Sequence, residues 1–263
     1  MTEAALAQFA ADYAEHRAAE GRGYAGDMLL SLPYLKEGPF AAQWAVRARS
    51  FEALMARVVR PLSVTRGQLT MLDLGAGNCW LSYRVALEGH HAIALDIRDD
   101  AVDGLGAGSP FVVRASGGID RVTASFDAIP LDAASADLTV FNAALHYATD
   151  LSATLAEAMR VTRPGGRIVI LDSPFYARER DGLAMVAEKR AQATQRFGAR
   201  AGSLLGLPFV EFLTRDRLAA ASDLVWRRIR VRYPIAYELR PVRAALRRER
   251  APSRFDLWVA ERP

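Results

Sequence analysis

Two acidic side chains and a pair of glycines carry the clearest chemical signal in this sequence. Met71-Leu72-Asp73-Leu74-Gly75-Ala76-Gly77 reads as an apolar strand that ends in a tight turn and feeds a helix opening near Trp80. Glycine at 75 and 77 lets the backbone turn sharply and approach a ligand closely, because no Cβ stands in the way. The start of the helix then offers unpaired N–H groups. Asp73, two residues before the first glycine, suits a cationic ligand group better than a pyrophosphate. Asp96 ends the next apolar strand, 19 residues after Gly77. A carboxylate there can accept both hydroxyls of a ribose, the use that nucleoside-binding α/β folds make of it, and Ile97 would then lie against an adenine face. An Asp after a strand is also an ordinary helix cap.

The glycine spacing separates two kinds of nucleotide loop. The dinucleotide fingerprint G-x-G-x-x-G needs a third glycine three residues after the second, and that position is Trp80. The run instead resembles motif I of the class I S-adenosylmethionine (SAM)-dependent methyltransferases, with Cys79 where that family usually carries its last glycine. The resemblance implies that Asp73 faces the methionine ammonium, directly or through water, and that the backbone of Gly75, Ala76 and Gly77 lies along the cofactor. Phe126-Asp127-Ala128-Ile129-Pro130-Leu131 looks like the family's acidic loop after strand 3. It implies that Asp127 accepts from the adenine amino group and that the Ala128 N–H donates to the ring. Ala134 to Asn142 is similar to the family's approach to strand 4. Motif support runs from about Leu69 to Asp172; beyond it only the order of elements matches. The cofactor implied is SAM, with S-adenosylhomocysteine (SAH) as product.

Asn142-Ala143-Ala144-Leu145-His146-Tyr147 follows strand 4, at the carboxyl edge where open α/β sheets bind ligands. It lacks the Asn/Asp-Pro-Pro-Tyr/Phe that DNA amino-methyltransferases carry there. Asp172-Ser173-Pro174-Phe175-Tyr176 looks superficially like that motif but follows strand 5. His146 is the candidate general base, since an ordinary imidazole titrates near neutral pH; the family resemblance implies instead that it lines the methionine pocket. Arg47 or Arg49 could clamp the SAM carboxylate from a helix that also carries Gln43 and Trp44. Tyr13, Tyr24, Tyr34, Tyr147 and Tyr176 are candidate substrate-pocket residues. No histidine has metal-ligand spacing, and with Cys79 the single cysteine no zinc site is readable.

These residues need elements to hold them. Thr2 to Glu20 reads as a helix capped by Thr2 and stopped by Gly21. Gly21 to Pro39 reads as a loop. Phe40 to Val59 reads as a second helix with Trp44, Phe51, Met55 and Val58 on one face, ended by Pro61. Strands and helices then alternate, which implies a parallel sheet. Strands are expected at Leu69–Leu74, Ala92–Asp96, Arg121–Ser125, Asp137–Asn142 and Arg167–Asp172, with Pro164-Gly165-Gly166 as a turn. A short helix is expected near Asp100–Leu105 and an unpatterned stretch from Ser109 to Asp120. Pro174 to Leu224 reads as mostly helical. Trp226 to Tyr233 alternates as a half-buried strand, and Phe255, Leu257 and Val259 mark a last strand. The expectation is an α/β fold: a seven-stranded, mostly parallel Rossmann-like methyltransferase sheet whose last strand inserts antiparallel. Residues 1–60 form a helical cap, 61–263 the core, and 174–225 a helical substrate-side insertion.

The chain of 263 residues is 51% hydrophobic, enough for a sizeable core. No apolar run approaches the roughly 20 residues that span a bilayer, and Met1 to Ala10 lacks the layout of a signal peptide, so a cytoplasmic protein is expected. Formal net charge is +4 with only two lysines, Lys36 and Lys189, and nine arginines fall between Arg227 and Arg250. A basic chain can signal a nucleic-acid partner. Here the cap and the insertion carry aromatics and no charge cluster typical of a nucleic-acid channel. The reading is methyl transfer to a small-molecule acceptor at O, N or C, by a monomer or homodimer. An RNA methyltransferase and a SAM-binding protein without turnover stay open; an NAD-dependent oxidoreductase is disfavoured by Asp73 and Trp80.

Overall fold

The computed structural model describes residues 3–197 and 207–263. Thr2 and residues 198–206, part of the expected helical segment, lie outside the described residues. Helices α1 (Glu3–Ala19), α2 (Gly26–Ser31), α3 (Ala41–Leu54) and α4 (Arg60–Arg66) precede the sheet. The sheet follows as β1 (Thr70–Leu74), β2 (His91–Asp96), β3 (Ile119–Thr123), β4 (Ala136–Asn142), β5 (Thr162–Leu171), β6 (Arg227–Ile229) and β7 (Leu257–Glu261). Its order is β3-β2-β1-β4-β5-β7-β6. β1 to β5 pair in parallel, and β7 runs antiparallel to both β5 and β6. This is the expected seven-stranded, mostly parallel sheet.

Helices α5 (Trp80–Leu87), α6 (Ser109–Val112), α7 (Leu151–Val161), α8 (Glu179–Phe197), α9 (Arg215–Ala221), α10 (Ile235–Glu238) and α11 (Arg240–Leu246) complete the described α-helices, with short 3-10 turns at Leu105–Gly108 and Leu145–Tyr147. β4 is buried at every position, as a central parallel strand must be when helices cover both faces. One apolar cluster joins β1, β4 and β7 to α3 and α5 through Met71, Val140, Val259, Phe51 and Leu81. A second, on the opposite face, joins Leu72, Phe141 and Ile170 to Leu155 of α7 and Leu218 of α9.

Several expected boundaries move, each for a local reason. Pro61 does not end the second helix. The turn Met55–Val59 widens into a π-helix and the chain continues as α4 to Arg66. A widened turn has room for the proline ring and needs no N–H from it. The Gly21–Pro39 loop contains α2. The expected helix near Asp100 is a turn tied by the Asp100 carboxylate, which accepts from the N–H groups of Val102 and Asp103 at 3.1 and 2.9 Å; α6 lies in the stretch expected to be unpatterned. Strand 3 begins two residues earlier than expected. Pro164-Gly165-Gly166 is a bulge inside β5 rather than a turn before it. Ala136 pairs with Thr162 but Leu138 with Arg167, and Gly165 takes φ +70°. β6 stops at Ile229 because the Val231 N–H donates to the Asp256 carboxylate at 3.0 Å instead of to a strand.

Candidate functional site

A cavity of about 400 Å³ opens over the carboxyl ends of β1, β2 and β4. Its floor is the loop after β1. The N–H groups of Gly75 and Ala76 donate to the Leu95 carbonyl at 2.8 and 3.0 Å, which stitches the loop to β2. Gly75 (φ +73°) and Gly77 (φ +53°) supply left-handed turns that glycine takes without strain. Cys79 takes φ +64° at the cap of α5, so the position where the family carries glycine keeps the left-handed conformation with a side chain attached. Burial pushes the Cys79 thiol up, and Gly108 leaves room for it: a Cβ there would stand 2.8 Å from the Cys79 sulfur.

Asp96 sits beside this loop on the cavity wall. Its carboxylate accepts from the Gly77 N–H at 2.8 Å and the Arg98 N–H at 3.0 Å. Burial raises its pKa against those two donors and the Arg98 charge. Four acceptor sites on a carboxylate leave two for a ligand. Ile97 and Phe126 line the wall next to it. Asp127 also faces the cavity, fixed by the hydroxyls of Thr154 at 2.5 Å and Thr149 at 3.5 Å. Asn142, at the end of β4, is 5% exposed, lines the cavity and has a side-chain oxygen without a partner.

The remaining walls come from outside the sheet. α1 contributes Phe9 and Tyr13; the short turn after β4 contributes Tyr147; the described residues after the gap contribute Phe209. Phe9 stands 4.8 Å from Phe209 and 5.5 Å from Tyr13, and Tyr147 stands 5.4 Å from Phe209. The hydroxyls of Tyr13 and Tyr147 bond at 3.1 Å. Arg17 of α1 donates to Asp103 at 2.6 Å, so α1 is fastened to the core at two points on the cavity rim.

Three polar groups face the interior between these walls. Arg47 of α3 lines the cavity and lies over the Trp44 ring at 5.1 Å; Arg49 is exposed and paired with Glu52 at 3.0 Å. Asp172, just past β5, is 8% exposed, and burial pushes its pKa to about 6 against the opposing pull of Arg47 and Ser50. His146 lines the cavity with Nδ1 3.5 Å from the Ser173 hydroxyl. Burial, helped by the charges of Lys189 and Arg47, pushes it down to about 3, so it is neutral at pH 7.

Of the site residues expected from sequence, Gly75, Ala76, Gly77, Asp96, Ile97, Asp127, Asn142, His146, Tyr13 and Tyr147 meet at this cavity. Asp73, Ala128, Tyr24, Tyr34 and Tyr176 lie outside it. Asp73 is fully buried beneath the loop, accepting from the Ser82 hydroxyl at 2.9 Å. Burial pushes it up to about 7. The Ala128 N–H is already donated to the Ser125 carbonyl at 3.2 Å. Tyr24 accepts from the Trp44 indole at 2.8 Å in the core. Tyr34 is exposed under Arg84, and the Tyr176 hydroxyl takes Arg250 at 3.2 Å. Sequence reasoning missed Phe9, Phe209 and Asp172. Leu6, Phe9 and Tyr13 share one helix face by spacing and Asp172 directly follows the end of β5, and those were the available signals; Phe209 had none. Among the described residues no group of three or more His, Cys, Asp or Glu is placed to hold a metal.

The residues present suit SAM. A half-satisfied carboxylate stands beside apolar walls, the loop carries glycine at 75 and 77, and Asn142 has an unpartnered oxygen.

Comparison with known proteins agrees. Residues 72–170 match the family described as "Methyltransferase domain". The chain is 30% identical over 129 residues to a malonyl-[acyl-carrier protein] O-methyltransferase of Erwinia billingiae, covering 49% of each protein. The chain thus spans about half the length, or less, of the curated relatives it matches. Among solved structures it resembles the YcgJ protein of Bacillus subtilis, with TM-score 0.53 at 16% identity over 81% of this chain and 96% of the other. It also resembles a geranyl diphosphate C-methyltransferase of Streptomyces coelicolor determined with SAH, with TM-score 0.52 at 13% identity over 86% and 85% of the two chains. At these identities the structural likeness speaks to fold.

Proposed function

We propose that this chain is a class I SAM-dependent methyltransferase, and that it transfers a methyl group from SAM to a small-molecule acceptor held in the cavity over β1, β2 and β4. The observation that carries the reading is Asp96. Its carboxylate is fixed by the Gly77 and Arg98 N–H groups and remains open to the cavity beside Ile97 and Phe126, where a ribose and an adenine fit.

In this reading Asp96 accepts from the ribose hydroxyls and Asp127 from the adenine amino group. Gly75, Ala76 and Gly77 leave space for the methionine chain. Arg47 takes the methionine carboxylate, since no ion pair within the described residues claims it. Asp73 is too deep to meet the ammonium and acts through the loop above it. Bound there, SAM supplies a methyl group already activated by its sulfonium. The chain's own task is alignment and exclusion of water, and positioning of that kind is worth roughly 7–11 kcal/mol. Phe9, Tyr13, Tyr147 and Phe209 form the apolar side that would hold the acceptor and keep water out. The N-terminal helices then act as a cap and the segment after β5 as a substrate-side insertion. His146, neutral but weakly basic, serves as a wall rather than as the base.

The relatives' acceptors do not transfer: one acts on a malonyl-[acyl-carrier protein] and another on geranyl diphosphate. A small acceptor is favoured over RNA because the C-terminal arginines are partly spent within the chain. Arg228, Arg230 and Arg250 pair with Asp256, Glu238 and Glu188.

Calorimetric titration with SAH, with NAD⁺ in parallel, tests the cofactor. Micromolar SAH binding without NAD⁺ binding is expected; binding of neither would overturn the reading. Labelled methyl reaching bulk tRNA or rRNA and no small molecule would overturn the acceptor class.

A further inference from the structure

Asp172 is a carboxylate that the cofactor reading leaves unused. It is more than nine-tenths buried, it lines the cavity, and neither carboxylate oxygen has a hydrogen-bond partner. Buried carboxylates without donors are rare because desolvation goes uncompensated. The nearby Ser50 hydroxyl, which also pulls on Asp172, is shared with another partner. Ser50 is bonded to the Tyr233 hydroxyl at 2.8 Å, and Tyr233 donates to the Phe255 carbonyl at 2.6 Å. Arg47 acts on Asp172 only through space. The backbone is also constrained: Asp172 takes φ +51°, a left-handed conformation uncommon away from glycine. It is held by the strand behind it, where Ala143 N–H donates to the Leu171 carbonyl at 2.8 Å. Backbone strain together with an unsatisfied charge marks a position kept for a ligand.

The charge balance of the cavity points the same way. Arg17 and Arg98 share Asp103 at 2.6 and 3.8 Å, and Arg22 pairs with Glu20 at 2.8 Å. Asp96 takes two backbone N–H groups, and Asp127 two threonine hydroxyls. With Arg47 assigned to the cofactor carboxylate, Asp172 is the acid in this wall still wanting a donor.

We infer that Asp172 is the polar anchor of the acceptor subsite, taking the hydrogen bonds of a proton-bearing nitrogen or oxygen on an acceptor whose apolar body lies against Phe9, Tyr13, Tyr147 and Phe209. This rests on the methyltransferase reading and deepens it by naming the acceptor class: an amine or alcohol on an aromatic or other apolar body, in preference to a carboxylate or a hydrocarbon without a donor.

The full chain saturated with SAH, titrated with phenethylamine, phenethyl alcohol and propylbenzene and followed by ligand-observed NMR, tests it. The three probes share a ring and a chain length and differ in the terminal group. The amine or the alcohol should bind at least about tenfold tighter than propylbenzene, the size of one hydrogen bond to a charged group. Preference for the amine identifies an ammonium ligand; preference for the alcohol identifies a hydroxyl. Asp172→Ala should abolish the preference. If that variant does not fold, Asp172→Asn keeps the shape, loses the charge and should reduce the amine's advantage. Equal binding of all three probes, binding of none, or a preference that survives in the folded variant would overturn the inference. SAH binding is read on the same wild-type sample. Its loss would count against the cofactor site itself, whereas intact SAH binding without a probe preference counts against Asp172 alone.

Discussion

Gly75 and Ala144 meet across the cavity floor so closely that a Cβ at position 75 would stand 2.4 Å from the Ala144 Cβ. The contact joins the loop after β1 to the turn after β4, so the two halves of the floor are set by one missing side chain. Gly75→Ala should therefore displace one loop or the other. The variant also has to hold φ +73° with a Cβ, a strain of about 1–3 kcal/mol. We expect a lower melting temperature and SAH affinity reduced by at least about tenfold, since close backbone approach is what glycine provides here. Unaltered SAH affinity in calorimetry would show that the ligand does not cross this loop.

Arg47 can be tested against a ligand that lacks its partner. Arg47→Met keeps much of the stem that covers Trp44 and removes the guanidinium. SAH binding should weaken by about tenfold or more, the scale of a charge-assisted hydrogen bond. 5′-Methylthioadenosine has no methionine carboxylate, and its affinity should stay the same. Equal losses for both ligands would mean that Arg47 shapes the cavity rather than gripping the carboxylate.

Asp73 should leave a mark on stability. Burial raises its pKa in the fold to about 7, so between about pH 4 and pH 7 the folded state holds a proton that the unfolded state has released. That contribution is fully present below the unfolded pKa and is lost as pH rises to about 7. Its upper bound is about 4 kcal/mol. Asp73→Asn removes this component, so the variant's stability relative to wild type should climb from pH 4 to pH 7 and level off above. Urea unfolding at several pH values reads the trend; a constant difference would mean that Asp73 is not buried as a titrating acid.

His146 should stay neutral across the physiological range. Burial first, then the charges of Lys189 and Arg47, push it down to about 3. Its ring-proton shifts in NMR should not titrate between pH 5 and pH 8. A midpoint near the ordinary imidazole value would restore it as a candidate base.

Much of the fold was legible because it rests on local signals. Alternation and fully apolar runs marked the strands, and the glycines at 75 and 77 marked a turn that needs positive φ. The position of Asp96 and Asp127 on the cavity wall was legible for the same reason: both follow strand ends, and a strand end faces the same crevice in any open parallel sheet. For Asp73, spacing along the strand does not say which face its carboxylate takes. It points under α5 to Ser82 rather than into the mouth. The walls were harder to read, since Arg17 with Asp103 and Tyr13 with Tyr147 are 86 and 134 residues apart, and no local pattern encodes such a pair. Pro61 misled because a widened turn can absorb a proline that an ordinary α-helix cannot.

The division of the cavity between strand ends and outlying segments has an evolutionary corollary. The groups assigned to the cofactor stand mainly on loops anchored in the sheet, whose rearrangement would disturb the two apolar clusters. Phe9, Tyr13 and Phe209 themselves belong to neither cluster. Substitutions there can change which molecules fit while the sheet keeps its stability. One scaffold can thus be retuned to new acceptors by drift in α1 and in the residues near Phe209, with the methyl donor held constant.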